Sequence, residues 1–258
     1  MKVLAAGVLI GTLGGLIGLG GAEFRLPLLI GIFGFAALPA VILNKSMSLV
    51  VVASALLFRT RVVPVETVLA HWPIIANLLA GSLAGAWMGA GWATRLKSQT
   101  LYRVIAILLV GIAIVLVFGH LLTGRSEPLV TDWLQVVVGV VAGFGIGVVA
   151  SLLGVAGGEL LIPTLVILFG ADIKLAGSLS LAVSLPTMIV GFMRYSRDGS
   201  FAVLTTHKQF VIVMALGSLV GAWLGGLLLG SVPDAVLLPM LALILLISSV
   251  KVWRHIDT

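Results

Sequence analysis

The sequence predicts an all-α, polytopic integral membrane helix bundle of two inverted repeats, five segments each, every repeat opening with a broken or hairpin helix pair. Three observations carry that prediction. The 258 residues are 60% hydrophobic and only 9% charged, whereas soluble domains carry about 25% charged residues. Long apolar runs recur along the chain, and helices are the open-ended elements that leave no backbone group unpaired in lipid. Finally, Gly18-Leu19-Gly20-Gly21-Ala22-Glu23-Phe24-Arg25-Leu26-Pro27 returns as Gly154-Val155-Ala156-Gly157-Gly158-Glu159-Leu160-Leu161-Ile162-Pro163.

The first five segments read as Val3–Leu19, Leu26–Ala37, Val41–Phe58, Val68–Ala93 and Leu101–Leu122. The second five read as Trp133–Leu153, Leu160–Gly170, Leu175–Met193, Val203–Leu229 and Ala235–Trp253. This divides the chain into repeat 1 (1–122), a polar linker (123–132) and repeat 2 (133–258). The self-similarity extends beyond the glycine motif: Gly81-Ser82-Leu83-Ala84-Gly85-Ala86-Trp87 pairs with Gly217-Ser218-Leu219-Val220-Gly221-Ala222-Trp223, and His71 with His207. Lys45-Ser46-Met47-Ser48-Leu49 resembles Gly177-Ser178-Leu179-Ser180-Leu181.

The second segment of each half is too short to cross a hydrocarbon core of about 30 Å. Segments one and two are therefore expected to form a hairpin or an interrupted pair, with the glycine pair at the turn and the proline completing the break. If the segments alternate across the membrane, ten basic residues fall on one side and five on the other. The positive-inside rule then places both termini in the cytoplasm and inverts the second half. Met1-Lys2 and the apolar run behind it read as the first membrane segment, because the run lacks a convincing cleavage site and recurs internally.

Glu23 and Glu159 are the acidic residues that fall inside apolar segments. A carboxylate in hydrocarbon is costly unless protonated or paired, so intramembrane acids mark functional sites by default. Two roles stay open: loading a proton to couple transport, or capping the backbone amides of the half-helix that follows. Gly20, Gly21, Gly157 and Gly158 could expose amides to an anion at a helix N-terminus. Ser46, Ser48, Ser178 and Ser180, with Asn44 and Lys45 beside the first pair, begin the third and eighth segments and could hold an oxyanion; the competing reading is a bond to the carbonyl one turn back. Arg25 and Lys45 add positive charge from the first half alone, since their counterparts are Leu161 and Gly177; snorkelling to an interface is the commoner fate of such residues.

Other classes are excluded or unsupported. The chain has no cysteine and four dispersed histidines, so a metal centre lacks its usual ligands and none is expected, nor any other cofactor. No catalytic elbow or ATP-binding motif is present, which argues against an enzyme and against primary active transport. The net charge of +6 reports basic loops that meet anionic lipid, with no nucleic-acid signature. Gly81, Gly85, Gly89 and Gly217, Gly221, Gly225 line single helix faces and predict close helix contacts, within one subunit or in a homodimer.

The duplicated Gly-rich, Glu-containing, Pro-terminated motif, the Ser-rich segment and the Gly-Ser-Leu-x-Gly-Ala-Trp helix together resemble the TauE/SafE family of sulfite and organosulfonate exporters. The resemblance covers nearly the whole chain. It implies a carrier in the inner membrane of a bacterium or archaeon that moves small sulfur-containing anions outward, such as sulfite, sulfoacetate or a related sulfonate; a passive anion channel of the same architecture is the alternative. Where the family commonly has three glycines before the glutamate, this chain has Ala22 and Ala156, which leaves less space for backbone to touch a ligand.

Overall fold

A computed structural model describes residues 1–17, 21–60, 63–122, 128–197, 201–228 and 234–254. These form α1 (Lys2–Ile17), α2 (Ala22–Gly31), α3 (Ala37–Arg59), α4 (Val65–Ala70), α5 (Trp72–Arg95), α6 (Ser98–Leu122), α7 (Asp132–Leu153), α8 (Gly158–Phe169), α9 (Ile173–Arg197), α10 (Ala202–Thr206), α11 (Lys208–Leu227) and α12 (Asp234–Arg254). Among the described residues six helices, α3, α5, α6, α7, α9 and α11, are long and apolar enough to cross a membrane. The protein is an all-helical, multi-pass membrane protein. Gly20 and the first half of the polar stretch 123–132 lie outside the described residues.

Two sequence segments split where one was expected. The fourth becomes α4 and α5, and the ninth becomes α10 and α11, with His71 and His207 at the two breaks. Each histidine turns its Nδ1 onto a carbonyl of the short helix before it, Thr67 at 2.8 Å and Val203 at 3.1 Å. The rings thus hold the bends.

The glycine stripes explain how the longest seams form. Around Gly7, Gly11 and Gly15 of α1, the space a Cβ would fill is taken by backbone of Met214, Ser218 and Ala222 on α11. Gly81, Gly85 and Gly89 of α5 meet Val140, Phe144 and Val148 of α7 in the same manner. Numbers rise together along both seams, so each pair is parallel. Small residues let backbones approach this closely, and in a membrane such packing replaces the hydrophobic drive. The glycine faces are thus filled by helices of the same chain; a homodimer needs some other surface.

The broken pairs are hairpins. In the second, Leu129 N–H bonds the Ile167 carbonyl at 2.9 Å and Gln135 Nε2 bonds the Leu168 carbonyl at 2.7 Å, which brings the end of α8 beside the start of α7. Gly154 ends α7 in the left-handed region at φ 67°, and Gly157 precedes α8 at φ 81°. The turn needs both glycines, because a side chain there would be strained. In the first hairpin Gly21 takes the same conformation at φ 69° and lies against Ile10 and Gly14; Gly157 lies against Ile146 and Ala150, the matching positions of the repeat.

The prolines do not complete the break. Pro27 and Pro163 lie inside continuous helices α2 and α8. The break is made by the glycines upstream, and each proline instead withholds the N–H that would bond the carbonyl of Glu23 or Glu159.

Helix α3 lies centrally, touching α2, α6, α7, α9, α10 and α11. It runs antiparallel to its repeat equivalent α9: Lys45 sits against Gly191 and Arg59 against Gly177. Gly85→Leu is expected to lower stability by about 2–3 kcal/mol or more, since the obstructing atoms are backbone. Gly111→Leu, at a position with nothing within 4 Å, should leave the melting temperature in detergent unchanged.

Candidate functional site

Glu23 and Glu159 occupy the first turns of α2 and α8. Helix N-termini favour negative charge, so the sequence position suits an acid. Both are buried, at 2% and 5% exposure. Each carboxyl leans toward its own backbone amide, and the two carboxyls lie side by side. These approaches are too loose to be formed hydrogen bonds: both oxygens of Glu23 and Oε2 of Glu159 are sealed from water without a partner among the described residues. The two hairpin tips therefore meet through their acids. Gly21 and Gly157 precede α2 and α8 without a side-chain cap hydrogen bond.

Arg25 does not snorkel. It is fully buried, and its guanidinium donates to Asn44 Oδ1 (3.4 Å), Ser48 Oγ (3.2 Å) and Ser218 Oγ (3.3 Å). Its charge also acts on Glu23, two residues earlier on α2. The matching Leu161 sits in an apolar cluster with Leu78, Leu165 and Leu179, so the two hairpins differ in charge as the sequence indicated.

Asn44 ties both hairpins to α3. Its Nδ2 donates to the Ala22 carbonyl at 3.0 Å, at the start of α2, and to the Leu153 carbonyl at 3.1 Å, at the end of α7. One side chain thus uses both amide hydrogens on the broken backbone of the two halves. No residue repeats the device, because the matching position is Ala176.

Lys45 is fully buried as well, and its ammonium has one hydrogen-bond partner among the described residues, Ser151 Oγ at 3.2 Å. Among the described residues two of its three donors have no acceptor. The Tyr195 hydroxyl donates to the Ser151 carbonyl at 2.8 Å, and Gly191 leaves room beside the ammonium. Lys45 and Arg25 thus belong to the core rather than to basic loops at a membrane surface.

The serines back-bond. Ser46, Ser48, Ser178 and Ser180 donate to the carbonyls of Leu43, Asn44, Lys174 and Gly177. Ser48 also accepts from Arg25, which brings it into the site; Ser46, Ser178 and Ser180 are not drawn to the carboxyl pair. Sequence reasoning missed Ser151, Ser184, Tyr195 and Ser218. Ser218 was visible in the repeated Gly-Ser-Leu motif, but nothing local in the sequence singles out the other three. Among the described residues no cluster of three His, Cys, Asp or Glu could hold a metal ion.

The motif helices, hairpin acids and glycine seams thus occupy both halves of one chain, and residues 3–252 match the family model described as Sulfite exporter TauE/SafE. The chain belongs to the TauE/SafE family. It is also 24% identical over 245 residues to the probable membrane transporter protein YunE of Bacillus subtilis (strain 168), covering 87% of this chain and 85% of that relative. No solved structure matches. Like its family, this TauE/SafE protein is a membrane transporter.

Within the TauE/SafE chain, Asn44→Ala should cost about 2–3 kcal/mol, because it strands two buried carbonyls and an arginine donor. Ser46→Ala, which removes one back-bond on a half-buried hydroxyl, should cost under about 0.5 kcal/mol. Thermal unfolding of the purified protein in detergent measures both.

Proposed function

We propose that this protein is a secondary transporter that exports small sulfur-containing anions, such as sulfite, sulfoacetate or a related sulfonate, across the inner membrane of a bacterium or archaeon. The observation that carries the reading is the fully buried, singly bonded Lys45 ammonium close to two facing hairpins. A buried cation with unused donors suits a small oxyanion, which would accept from Lys45 and from the Ser151 hydroxyl. Arg25, Asn44 and Ser48 hold the neighbouring wall.

Coupling falls to Glu23 and Glu159. Two ionised carboxylates side by side in a dry site repel strongly, so the pair holds a proton in this closed arrangement. Opening the site to water on one side separates the acids, hydrates them and lets the proton leave. The anion and the proton thereby share one conformational cycle.

That cycle is alternating access by two inverted repeats. Support comes from the parallel α1/α11 and α5/α7 seams, in which each repeat's first helix packs on the other repeat's α5-type helix, and from the antiparallel contact of α3 with α9. Rocking the α1/α11 unit against the α5/α7 unit, with both glycine seams kept intact, would shift the two hairpin tips relative to one another. Both termini are placed in the cytoplasm by the basic-residue bias, which survives removal of Arg25 and Lys45 from the count.

Proteoliposomes loaded with labelled sulfite, sulfoacetate, taurine or thiosulfate test the reading, with and without a pH gradient. Saturable flux of at least one sulfur anion, accelerated by the gradient, is expected. Glu159→Gln should retain binding and lose gradient dependence, since the amide cannot release a proton. No flux of any sulfur anion overturns the substrate class; non-saturating flux indifferent to the gradient replaces the carrier with a channel.

A further inference from the structure

The contact between α3 and α9 contains three polar groups that the described residues leave wholly or partly unsatisfied. At one end the Lys45 ammonium lies against Gly191 with its single bond to Ser151. At the other end the Arg59 guanidinium lies over Gly177 and has no hydrogen-bond or ion-pair partner among the described residues. The antiparallel register that makes these two pairings sets Val52 opposite Ser184 midway between them. Ser184 is fully buried, and its hydroxyl has no hydrogen-bond partner among the described residues.

The spacing keeps the three in one line. Lys45, Val52 and Arg59 recur every seven residues on α3, and Gly177, Ser184 and Gly191 do so on α9. Seven residues return nearly to the same helix face, about 10 Å further along. A buried hydroxyl without a partner, between two cations each seated in a glycine notch, is costly in a packed membrane helix pair. Nothing in helix packing requires it, since alanine at 184 would fill the seam without an unpaired group.

The surroundings of the middle position are apolar. Val52, Ala156, Leu181 and Met188 form a small buried cluster of their own, with Leu49, Leu56 and Leu185 packed around it. Ala156 belongs to the bend just before α8, so the plug includes the tip of the second hairpin. Movement of that hairpin necessarily disturbs the plug.

We propose that the α3/α9 seam is the path of the transported anion, with Lys45 holding it inside, the Val52–Leu181–Met188 plug closing the stretch where Ser184 waits as the intermediate donor, and Arg59 handing it over at the outer membrane face. The proposal rests on the transporter reading above and assigns the route and its outer residue. Arg59 contributes charge and a planar donor fork suited to an oxyanion. Ser184 gives the anion one hydrogen bond as it passes the apolar ring. The second hairpin, through Ala156, links opening of the plug to the state of Glu159.

The chain has no cysteine, so single thiols report cleanly in the full-length protein. Ser184→Cys and, as an equally buried core control, Ala242→Cys on α12 are reconstituted and treated with iodoacetate, an anionic thiol reagent. Residue 242 is 4% exposed and lies in the main apolar core. Carboxymethylation followed by mass spectrometry should proceed at least about tenfold faster at 184, a difference of about 1.4 kcal/mol in the barrier. Arg59→Gln should raise KM for a sulfur anion presented at the Arg59 face of the proteoliposome about tenfold with kcat held, and Arg59→Lys should recover much of it.

A Ser184→Cys protein that transports yet is labelled no faster than Ala242→Cys overturns the seam path and leaves the transporter intact. An Arg59→Gln change in kcat alone overturns the outer station. Rapid labelling at 184 in a protein that moves no sulfur anion supports the path and overturns only the substrate class, so the two readings fail separately.

Discussion

The structure depends on closing the backbone of two interrupted helices at membrane depth. A helix end carries four unpaired groups, and hydrocarbon offers them nothing. In the second hairpin the chain answers partly with glycine: Gly154 turns α7 back on itself, and Val155 N–H bonds the Ala150 carbonyl at 3.0 Å. Across both hairpins it answers with Asn44, whose amide reaches Ala22 and Leu153 together. That single residue fixes α3 to both tips, and the carboxyls of Glu23 and Glu159 are brought to face one another within the frame it sets.

The two glycine seams supply the rest of the frame. Backbone-to-backbone approach along α1/α11 and α5/α7 is rigid, because any Cβ would strike main-chain atoms that cannot rotate away. Each repeat is thereby clasped by a helix of the other. Motion is left to the seams that lack such notching, chiefly the hairpin tips and the α3/α9 contact. Where α3 and α9 do use glycine, at Gly177 and Gly191, the notch accommodates the end of a long flexible cation rather than backbone.

Charge breaks the symmetry of this duplicated fold. Arg25, Lys45 and Arg59 all belong to the first half, while the second half contributes Gly191 and Gly177, which make space for Lys45 and Arg59. A symmetric site would present two identical cationic faces and hold an anion equally from both. The observed arrangement sets the three cations on one half and the glycines that receive two of them on the other, which on the proposed reading gives an anion one cationic wall.

The sequence by itself determined the class, the interruption that opens each half and the carboxyls beside it, while the five segments it indicates per half became six helices because the fourth and ninth bend at His71 and His207. Those features follow from local composition, from glycine and from the repeat, all of which are written along one dimension. It also exposed the glycine faces while leaving open whether they join helices of one chain or two, since a notch does not name its occupant. Only the tertiary structure decided that α1 pairs with α11 and α5 with α7, that Arg25 and Lys45 are buried rather than snorkelling, and that Glu23 meets Glu159. It alone gave meaning to Ser184 and Arg59. An unpaired hydroxyl is defined by what surrounds it, and the partners of position 184 come from a helix more than a hundred residues away in the chain.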